Sequence, residues 1–342
     1  MNKIISFCKK HKWKISLVLI VPLTFYIFSR IFLPRPLFNN PVSLVVEDVN
    51  GKLIGAKIAN DGQWRFPFNS EVSDKFKKAS ICFEDKRFYS HYGVDLFALG
   101  RAVRQNIRSG RIVSGGSTIT MQVVRLSRQE SRTVLQKCIE IFLSFYLELS
   151  YSKDEIFSIY AGHAPFGGNV VGLDAAAWRY YGKNAENLSW GEAAALAVLP
   201  NSPSLVHPGR NRNTLLSKRD MLLDKMKGQG IIDAETCQMA KLEPLPAKPL
   251  ALPNYAPHLV NRIYFEKFGK QKFDESKFKT TINLTLQKQV LDIIQRHSET
   301  WTANGINNAA ALVLDVETGN VLAYVGNTYK GLSYENNNDV DI

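Results

Sequence analysis

Cysteine is scarce in this chain, and its four occurrences form no recognisable metal or disulfide pattern. Cys8, Cys82, Cys138 and Cys237 include no C-x-x-C pair and no spacing typical of a zinc site. The sequence therefore predicts no metal site built on cysteine. Because Cys82 and Cys138 lie in apolar stretches, we expect both to be buried free thiols.

Nucleotide-binding motifs are absent as well. The chain contains neither a G-x-x-x-x-G-K-[ST] loop nor the glycine fingerprint of a Rossmann fold. These two absences leave a nucleotide substrate or cofactor without support.

Negative charge is in the minority. The 43 lysines and arginines outnumber the 31 aspartates and glutamates, which gives a formal net charge of +12. Such an excess predicts an anionic partner, either nucleic acid or an anionic lipid surface.

The N-terminus favours the lipid over nucleic acid. Five lysines precede an apolar run over residues 15–33. Because this run is close to the ~20 residues that span a bilayer, we expect an uncleaved anchor over 15–34. A cleaved signal peptide is the alternative, although the run is long for one and no Ala-x-Ala site follows it closely. The positive-inside rule then places residues 1–14 in the cytoplasm and the chain after the anchor on the outer face.

The 342 residues suggest two or three domains. Residues 35–69 are expected to form a linker and a β-hairpin that turns at Asn50-Gly51. Helical periodicity dominates residues 70–245, and the prolines of residues 246–279 predict a second linker. Residues 280–342 carry the pattern of a helix and a hairpin, which we interpret as the incomplete start of a further domain.

One helix of the middle region carries a basic face. Asp95 is predicted to cap a helix over residues 96–108. Arg101, Arg104 and Arg108 share one side of this helix, at positions i, i+3 and i+7. Such a face is either solvated or placed against anionic lipid headgroups, and the sequence leaves both readings open.

The most informative chemical feature is a pair of glutamates, Glu84 and Glu140, which lie 56 positions apart. Between them is a glycine-led turn over residues 115–118, followed by a helical pattern. The turn is therefore expected at a helix N-terminus, where free N–H groups and the hydroxyls of Ser117 and Thr118 suit a phosphate.

Two arginines extend this anion-binding pattern. Arg125 follows the turn by about one helical turn, and Arg132 lies just before the next predicted helix. Both are candidates to contact the same phosphate, because guanidinium groups bind phosphate oxygens through paired hydrogen bonds.

Glu84 is predicted to lie where a short helix ends. Phe88, His91 and Tyr92 follow closely and are expected to pack or hydrogen-bond nearby. A carboxylate beside aromatic surface has its neutral form favoured, so its pKa rises towards a value useful for a general base. His91 itself is open to a structural or a catalytic role.

Glu140 lies in a helical pattern that is apolar at nearly every other position. Glu140, Ser144 and Glu148 recur at i, i+4 and i+8, with Lys137 three residues before Glu140. This spacing predicts one narrow polar stripe along a helix that is buried on most sides, as expected where a helix lines a cleft. The alternative is that Lys137 and Glu140 merely neutralise each other.

Several ordered motifs together resemble glycosyltransferase family 51, the peptidoglycan polymerase domain of class A penicillin-binding proteins. The resemblance covers roughly residues 70–245. Its parts are Glu84-Asp85 with Phe88, His91 and Gly93; Gly116-Ser117-Thr118-Ile119-Thr120 with Gln122; Lys137 with Glu140; and Lys153 with Glu155-Ile156 and Tyr160. Met121-Gln122 and the segments 60–65 and 164–169 are similar to the 1C type.

The resemblance implies a mainly α, lysozyme-like helical fold on the outer face of the cytoplasmic membrane. It implies polymerisation of lipid II into glycan strands, with release of undecaprenyl diphosphate. Glu84 would deprotonate the acceptor hydroxyl, and Glu140 would assist the departing diphosphate. The implied substrate-binding residues are Ser117, Thr118, Gln122, Arg125, Arg132, Lys137 and His91.

The resemblance also sets expectations about cofactors and partners. No cofactor is expected to be required, and stimulation by a divalent cation such as Mg2+ is left open. The expected partners are lipid II, the growing glycan chain, the cytoplasmic membrane and other cell wall synthesis proteins, with no nucleic acid.

This sequence departs from the family pattern at three places. Met121 stands where many members have glutamine, Gln136 where arginine is usual, and Ala161-Gly162 where Leu-Asn is usual. A transpeptidase Ser-x-x-Lys is absent after Ile282, so this chain is not expected to acylate penicillin. Two alternatives stay beside the polymerase. A lysozyme-like muramidase is one, since two carboxylates in a helical cleft also suit hydrolysis. An inactive scaffold is the other, because of the three departures.

Overall fold

The computed structural model describes residues 23–111, 115–131, 133–201, 211–268 and 276–327. Within these residues the protein is mainly helical with a few short strands, which confirms the predicted mainly α class. Residues 23–32 are helical. The helices that follow are α1 (Asp74–Glu84), α2 (Leu96–Ser109), α3 (Ile119–Arg128), α4 (Val134–Ser150), α5 (Lys153–His163), α6 (Leu173–Tyr181), α7 (Trp190–Val198), α8 (Arg212–Gly228), α9 (Ala234–Leu242), α10 (Pro257–Ile263) and α11 (Leu284–Ala303).

The strands form three small sheets. They are β1 (Leu44–Glu47), β2 (Leu53–Lys57), β3 (Trp64–Arg65), β4 (Pro165–Gly167), β5 (Val170–Val171), β6 (Lys277–Lys279), β7 (Ala311–Leu314) and β8 (Val321–Val325). The sheet orders are β2-β1-β6, β3-β5-β4 and β7-β8. The predicted hairpins at both ends of the chain are confirmed, because β1 pairs with β2 and β7 with β8 in antiparallel register.

Side-chain caps explain where several helices begin. The Asp95 carboxylate accepts a hydrogen bond from the Ala98 N–H at 2.8 Å, so the predicted cap of α2 is confirmed. Ser189 and Glu192 form a reciprocal capping box at the start of α7. Ser152 and Glu155 do the same for α5. These caps fix the entry points of helices that surround the site described below.

The helical body has one main core, built around the alanine-rich helix α7. Residues from Ala193 to Val198 are buried there, and small side chains let α1 and α8 approach closely. Phe76 from α1 packs near Phe157 and Phe166, with ring centroids 6.2 and 6.0 Å away. Burying such rings is the main stabilising contribution of this core.

The N-terminal helical segment packs against α4. Phe25 and Phe28 lie 4.7 and 4.5 Å from the Phe142 ring, measured between centroids. None of the helices in the described part of the chain is both long and apolar enough to cross a membrane. Residues 15–22 of the predicted anchor lie outside the described residues, as does the predicted cytoplasmic tail.

The segment predicted as a second linker contains regular structure. Helix α10 lies within it, and β6 near its end returns to pair with β1 in parallel register. Together with α11 and the first hairpin, these elements form a second, smaller core that includes Leu44, Ile54 and Val260. The parallel pairing joins residues more than 200 positions apart, and local sequence patterns carry no signal for it.

The expectation that Cys138 is buried is wrong, whereas Cys82 is a buried free thiol as predicted. Cys138 is exposed because the first turns of α4 point outward, together with Val134 and Leu135. Helix α4 is therefore not buried on most sides. Its apolar flank is partly exposed, and its polar stripe faces inward.

Candidate active site

Glu84 is the last residue of α1, which confirms its predicted place at a helix end. The Gln122 side-chain amide donates a hydrogen bond to Glu84 Oε2 at 2.9 Å, and Asn201 lies 3.4 Å from Oε1. Burial raises the pKa of Glu84, while the hydrogen bonds from Gln122 and Asn201 and the charge of Arg125 oppose this rise. The raised pKa suits a general base.

The aromatic surroundings of Glu84 differ from those expected. Phe88 is buried, but Tyr92 is 80% exposed, so the expectation that Tyr92 packs beside Glu84 is wrong. The reason lies in Gly93, which has φ 77° and sits so close to α4 that a Cβ would stand 2.7 Å from the Ser144 carbonyl. This contact turns the chain outward at Tyr92.

Tyr160 takes the place of the expected aromatic neighbour. Its side chain is buried, and its hydroxyl has no hydrogen-bond partner among the described residues. Burial and, next, the charge of Glu84 raise the pKa of Tyr160 well above its usual value. Tyr160 therefore stays neutral beside Glu84 and adds to its low-dielectric surroundings.

The polar turn ends at a helix N-terminus, as predicted. Thr118 caps α3, because its hydroxyl oxygen accepts from the Met121 N–H at 3.1 Å. The same hydroxyl donates to the Gly93 carbonyl at 2.5 Å. Thr118 thus joins the turn to the loop that follows Glu84.

His91 lies behind this loop. Its Nε2 is 3.0 Å from both carboxylate oxygens of Asp85, and Asp85 also accepts from the Ile119 N–H at 3.1 Å. Asp85 therefore ties the residue next to Glu84 to the first turn of α3. His91 supports this contact from a buried position.

Lys137 connects the turn to the second glutamate. Its Nζ donates to Ser117 Oγ at 2.7 Å and lies 3.1 Å from Glu140 Oε2. Glu140 is only 7% exposed, and Lys137 forms an ion pair with it. The predicted pair of Lys137 and Glu140 is therefore present, and the Ser117 hydroxyl from the predicted phosphate-binding turn joins it.

The polar stripe of α4 divides into two parts. At its far end Glu148 accepts from the Thr120 hydroxyl at 2.6 Å and from Lys153 Nζ at 2.7 Å. Lys153 also lies 4.5 Å from the centroid of the Phe88 ring. The Glu148 end of the stripe thus connects α3, α4, α5 and the loop after Glu84. The Glu140 end is connected to the turn of residues 115–118 through Lys137.

A cavity of about 340 Å³ lies over these groups. Glu84, Asp85 and the turn residues 115–118 line it, so the structure brings the first glutamate and the predicted phosphate turn together. The cations Lys86, Arg87 and Arg101 line it as well. Arg101 comes from the predicted basic face of α2, whose arginines are all exposed.

The other predicted site residues that the structure describes do not line this cavity. Gln122 contacts Glu84, Lys137 contacts Ser117, and Arg125 acts on Glu84 through its charge. Glu140 is reached through Lys137. Arg132 lies outside the described residues.

Asn201 is the site residue that the sequence reasoning missed. It follows α7, 117 positions after Glu84, and no local motif marks it. The described residues contain no group of three or more His, Cys, Asp or Glu side chains that could hold a metal ion.

Three residues at which the sequence departs from the family pattern have well-defined surroundings. Met121 is fully buried beside Gln122 and packs as an apolar side chain. Gln136 accepts a hydrogen bond from Arg128 Nη1 at 2.5 Å, so a cation lies beside this position. Gly162 lies so close to Phe68 that a Cβ there would stand 3.0 Å from its ring.

Comparison with known proteins matches residues 50–227 to the transglycosylase family model. Penicillin-binding protein 1C of Escherichia coli (strain K12) is 39% identical over 264 residues, which are 77% of this chain and 33% of that protein. Penicillin-binding protein 1F of Bacillus subtilis (strain 168) is 37% identical over 177 residues, 50% of this chain and 24% of that protein. The chain thus spans a third or less of the length of these curated relatives.

A solved structure is similar over a comparable region. The crystal structure of penicillin-binding protein 1A from Haemophilus influenzae covers 82% of this chain and 32% of its own, at 18% identity and a TM-score of 0.35.

Proposed function

Since the chain belongs to the transglycosylase family, we propose that it is a peptidoglycan glycosyltransferase of the class A penicillin-binding protein 1C type. It polymerises lipid II into β-1,4 glycan strands and releases undecaprenyl diphosphate. The observation that carries this proposal is the shared cavity of Glu84 and the turn 115–118, which sets a base opposite a phosphate-binding element.

Glu84 is the general base of the proposed reaction. Its carboxylate takes the proton from the acceptor sugar hydroxyl as the oxygen attacks the anomeric carbon of the growing chain. Burial supports this role because it raises the pKa of Glu84. Gln122 and Asn201 donate hydrogen bonds to opposite carboxylate oxygens, which orients the base.

The opposite side of the cavity receives the leaving diphosphate. Ser117 and Thr118 lie in the donor subsite at the N-terminus of α3, where the helix dipole favours negative charge. Lys137 contacts both Ser117 and Glu140, and it supplies a positive charge on the side of the leaving diphosphate. Arg125 and Arg132 complete the cationic set in the proposal.

His91 supports the reaction from behind the loop. It holds Asp85, which in turn holds the first turn of α3. In this proposal His91 positions the groups of the substrate-binding set. No cofactor is required in this proposal. Polymerisation with and without Mg2+ measures any stimulation by a divalent cation.

A lysozyme-like muramidase is the competing function. Two carboxylates in a helical protein also suit glycoside hydrolysis. The cations favour the polymerase instead, because Lys86 and Arg101 line the cavity in addition to Arg87, which is paired with Asp95, and a neutral leaving sugar would need no such cations. The mainly helical body is compatible with either activity.

The proposed domain arrangement places this body at the membrane. Residues 15–34 form the anchor after a cytoplasmic tail of residues 1–14, and residues 70–245 form the glycosyltransferase domain on the outer face. The linker and hairpin of residues 35–69 connect the two. Residues 246–279 lead to residues 280–342, the start of a transpeptidase domain.

Labelled lipid II in detergent micelles tests the proposal. We expect long glycan strands from the wild-type chain and none from Glu84→Gln, which keeps the shape of the side chain but removes the base. Glu155→Gln is a matched control, because this glutamate caps α5 on the surface. Release of small fragments from purified sacculi without any polymer from lipid II would instead establish the muramidase.

A further inference from the structure

A second cavity, of about 320 Å³, shares no lining residue with the one that contains Glu84. It opens beside β2 and β3, the end of α6 and the extended segment 251–254. Lys57, Arg179 and Trp64 line it, and none of the described residues that line it carries a carboxylate. Two positive charges therefore meet at a cavity that supplies no counter-charge.

Lys57 is positioned by aromatic rings. Its Nζ lies 4.1 Å from the centroid of the Tyr264 ring and 5.1 Å from that of Phe265. Burial lowers the pKa of the Lys57 ammonium. Because Lys57 also lines the cavity, an anion that enters the cavity can reach this cation.

Arg179 has an unused hydrogen-bond donor. Its Nη1 donates to the Leu250 carbonyl, and its guanidinium carbon lies 5.6 Å from the centroid of the Trp64 ring. Its Nε–H is buried and has no acceptor among the described residues. Leaving such a donor unpaired costs roughly 1–3 kcal/mol, so an acceptor is expected there.

The chemistry of this edge favours a carboxylate. The Nε and Nη2 groups of an arginine bind both oxygens of one carboxylate through two parallel hydrogen bonds. The same edge of Arg87 holds Asp95 in this protein. The Nε group on the equivalent edge of Arg179 has no partner among the residues that the structure describes.

The size of the cavity selects an organic ligand over a bare ion. Its volume of about 320 Å³ is far larger than one water molecule needs. Ala56, Leu252 and Val260 supply apolar wall, and the Asn254 side chain supplies an amide. A small inorganic anion would leave most of this wall uncovered.

Trp64 is held at the cavity by contacts between two segments that the proposed reaction does not use. The Trp64 N–H donates to the Asn169 carbonyl at 2.7 Å, and the Asn169 side-chain amide donates to the Gly62 carbonyl at 3.0 Å. These contacts join segments 60–65 and 164–169, both typical of the 1C type, and place Trp64 at the cavity.

We infer that this cavity binds the C-terminal carboxylate of a short peptide. Arg179 and Lys57 hold the carboxylate, the apolar wall covers small side chains, and Asn254 hydrogen-bonds the peptide backbone. The site is independent of glycosyl transfer. A bound peptide would contact the first hairpin, α6 and the segment 251–254 at once.

Isothermal titration calorimetry on the full chain in detergent micelles tests this inference. The probe is N-acetyl-Ala-Ala with a free carboxylate, compared with its C-terminal amide and with inorganic phosphate. We expect saturable binding of the acid and at least tenfold weaker binding of the amide, a difference of about 1.4 kcal/mol. Phosphate is expected to bind more weakly than the acid.

Two variants localise the binding. Arg179→Lys keeps the positive charge but loses the paired hydrogen bonds of the guanidinium group. Lys57→Gln removes the second cation. Each substitution is expected to weaken binding of the acid at least tenfold. Lys52→Gln, an exposed lysine of the same hairpin outside the cavity, should bind as the wild type does. Thermal unfolding of each variant verifies that it is folded.

Four results would overturn the inference. They are no binding of the acid, equal binding of acid and amide, phosphate binding as tight as the acid, and unchanged affinity in both cavity variants. Because Lys57 makes no hydrogen bond that holds segment 251–254, Lys57→Gln remains informative even if Arg179→Lys unfolds.

Discussion

The Gln122 side-chain amide donates a hydrogen bond to Glu84 Oε2 at 2.9 Å and thereby joins α3 to the end of α1. The bond stabilises the ionised carboxylate, whereas the burial of Glu84 favours the neutral acid. Burial is the larger effect, so the pKa of Glu84 is raised. The pH at which the proposed base becomes active is therefore set by two opposing contributions.

Removal of the hydrogen bond from Gln122 to Glu84 should move the acidic limb of the pH profile of the polymerisation rate. In Gln122→Met the side chain keeps its approximate volume but loses the donor, so the pKa of Glu84 rises further. We expect the rise of the polymerisation rate with pH to shift to higher pH. Measurement of the rate between pH 5 and 9, with Gln136→Met as the control, checks this; a shift to lower pH would contradict it.

The raised pKa of Glu84 also predicts a pH-dependent stability. Relative to glutamine, the glutamate loses stability as pH rises from its unfolded-state pKa through its raised folded-state pKa. Glu84→Gln should therefore unfold at a higher temperature than the wild type above this window and at a similar temperature below it. Each 1 kcal/mol corresponds to about 2–4 °C in thermal unfolding of a domain of this size.

Unfolding temperatures and polymerisation rates together separate the contribution of Glu84 to stability from its contribution to activity. A gain in stability at neutral pH together with a loss of polymerisation is expected of a functional residue held in an unfavourable environment. If Glu84→Gln and the wild type unfolded at equal temperatures both at pH 4 and at pH 8, burial would not perturb the Glu84 carboxylate.

Lys137 and Glu140 should be coupled in stability but not in activity. Lys137→Met leaves the buried Glu140 without its cation, and we expect a loss of about 1–3 kcal/mol because the lysine is itself partly exposed. The double variant Lys137→Met/Glu140→Gln should recover most of that loss. Urea unfolding of the two single variants and the double variant measures the coupling.

Polymerisation by the same three variants tests the leaving-group role. If Lys137 acts on the diphosphate, the double variant regains stability while its activity stays low. An active double variant would mean that the pair serves only to neutralise itself.

Lys153 should matter mainly for stability. Glu148 is 5% exposed at its side chain, so Lys153→Met leaves a buried charge unpaired and should cost about 3–5 kcal/mol. The Arg296–Asp292 pair on α11 is the control, because both side chains are mostly exposed. Arg296→Met should change the free energy of unfolding by less than about 0.5 kcal/mol, and a similar change in both variants would contradict the assignment.

Local patterns predicted most of the elements around the site. The cap at Asp95, the helix start after Thr118 and the end of α1 at Glu84 depend on residues close in sequence, where capping and periodicity act. The outward turn at Tyr92 was not predictable in this way. It depends on the close approach of Gly93 to Ser144, which lies on another helix.

The polar stripe of α4 shows the same limit. Its spacing predicted a one-sided arrangement of Glu140, Ser144 and Glu148, and that arrangement is present. Which side faces inward depends on the partners Thr120 and Lys153, which come from neighbouring helices. An amphipathic pattern specifies two faces, and only packing decides which one is buried.

The order of the motifs along the chain was sufficient to indicate the family and the two glutamates, because residue type and spacing restrict the chemistry that a segment can support. The unequal surroundings of these glutamates arise only in three dimensions. Gln122 and Asn201 meet Glu84 from helix α3 and from the segment after α7, while Lys137 joins Glu140 to Ser117. Burial, hydrogen bonding and charge act through space, so tertiary structure alone determines the pKa of Glu84 and the neutralisation of Glu140.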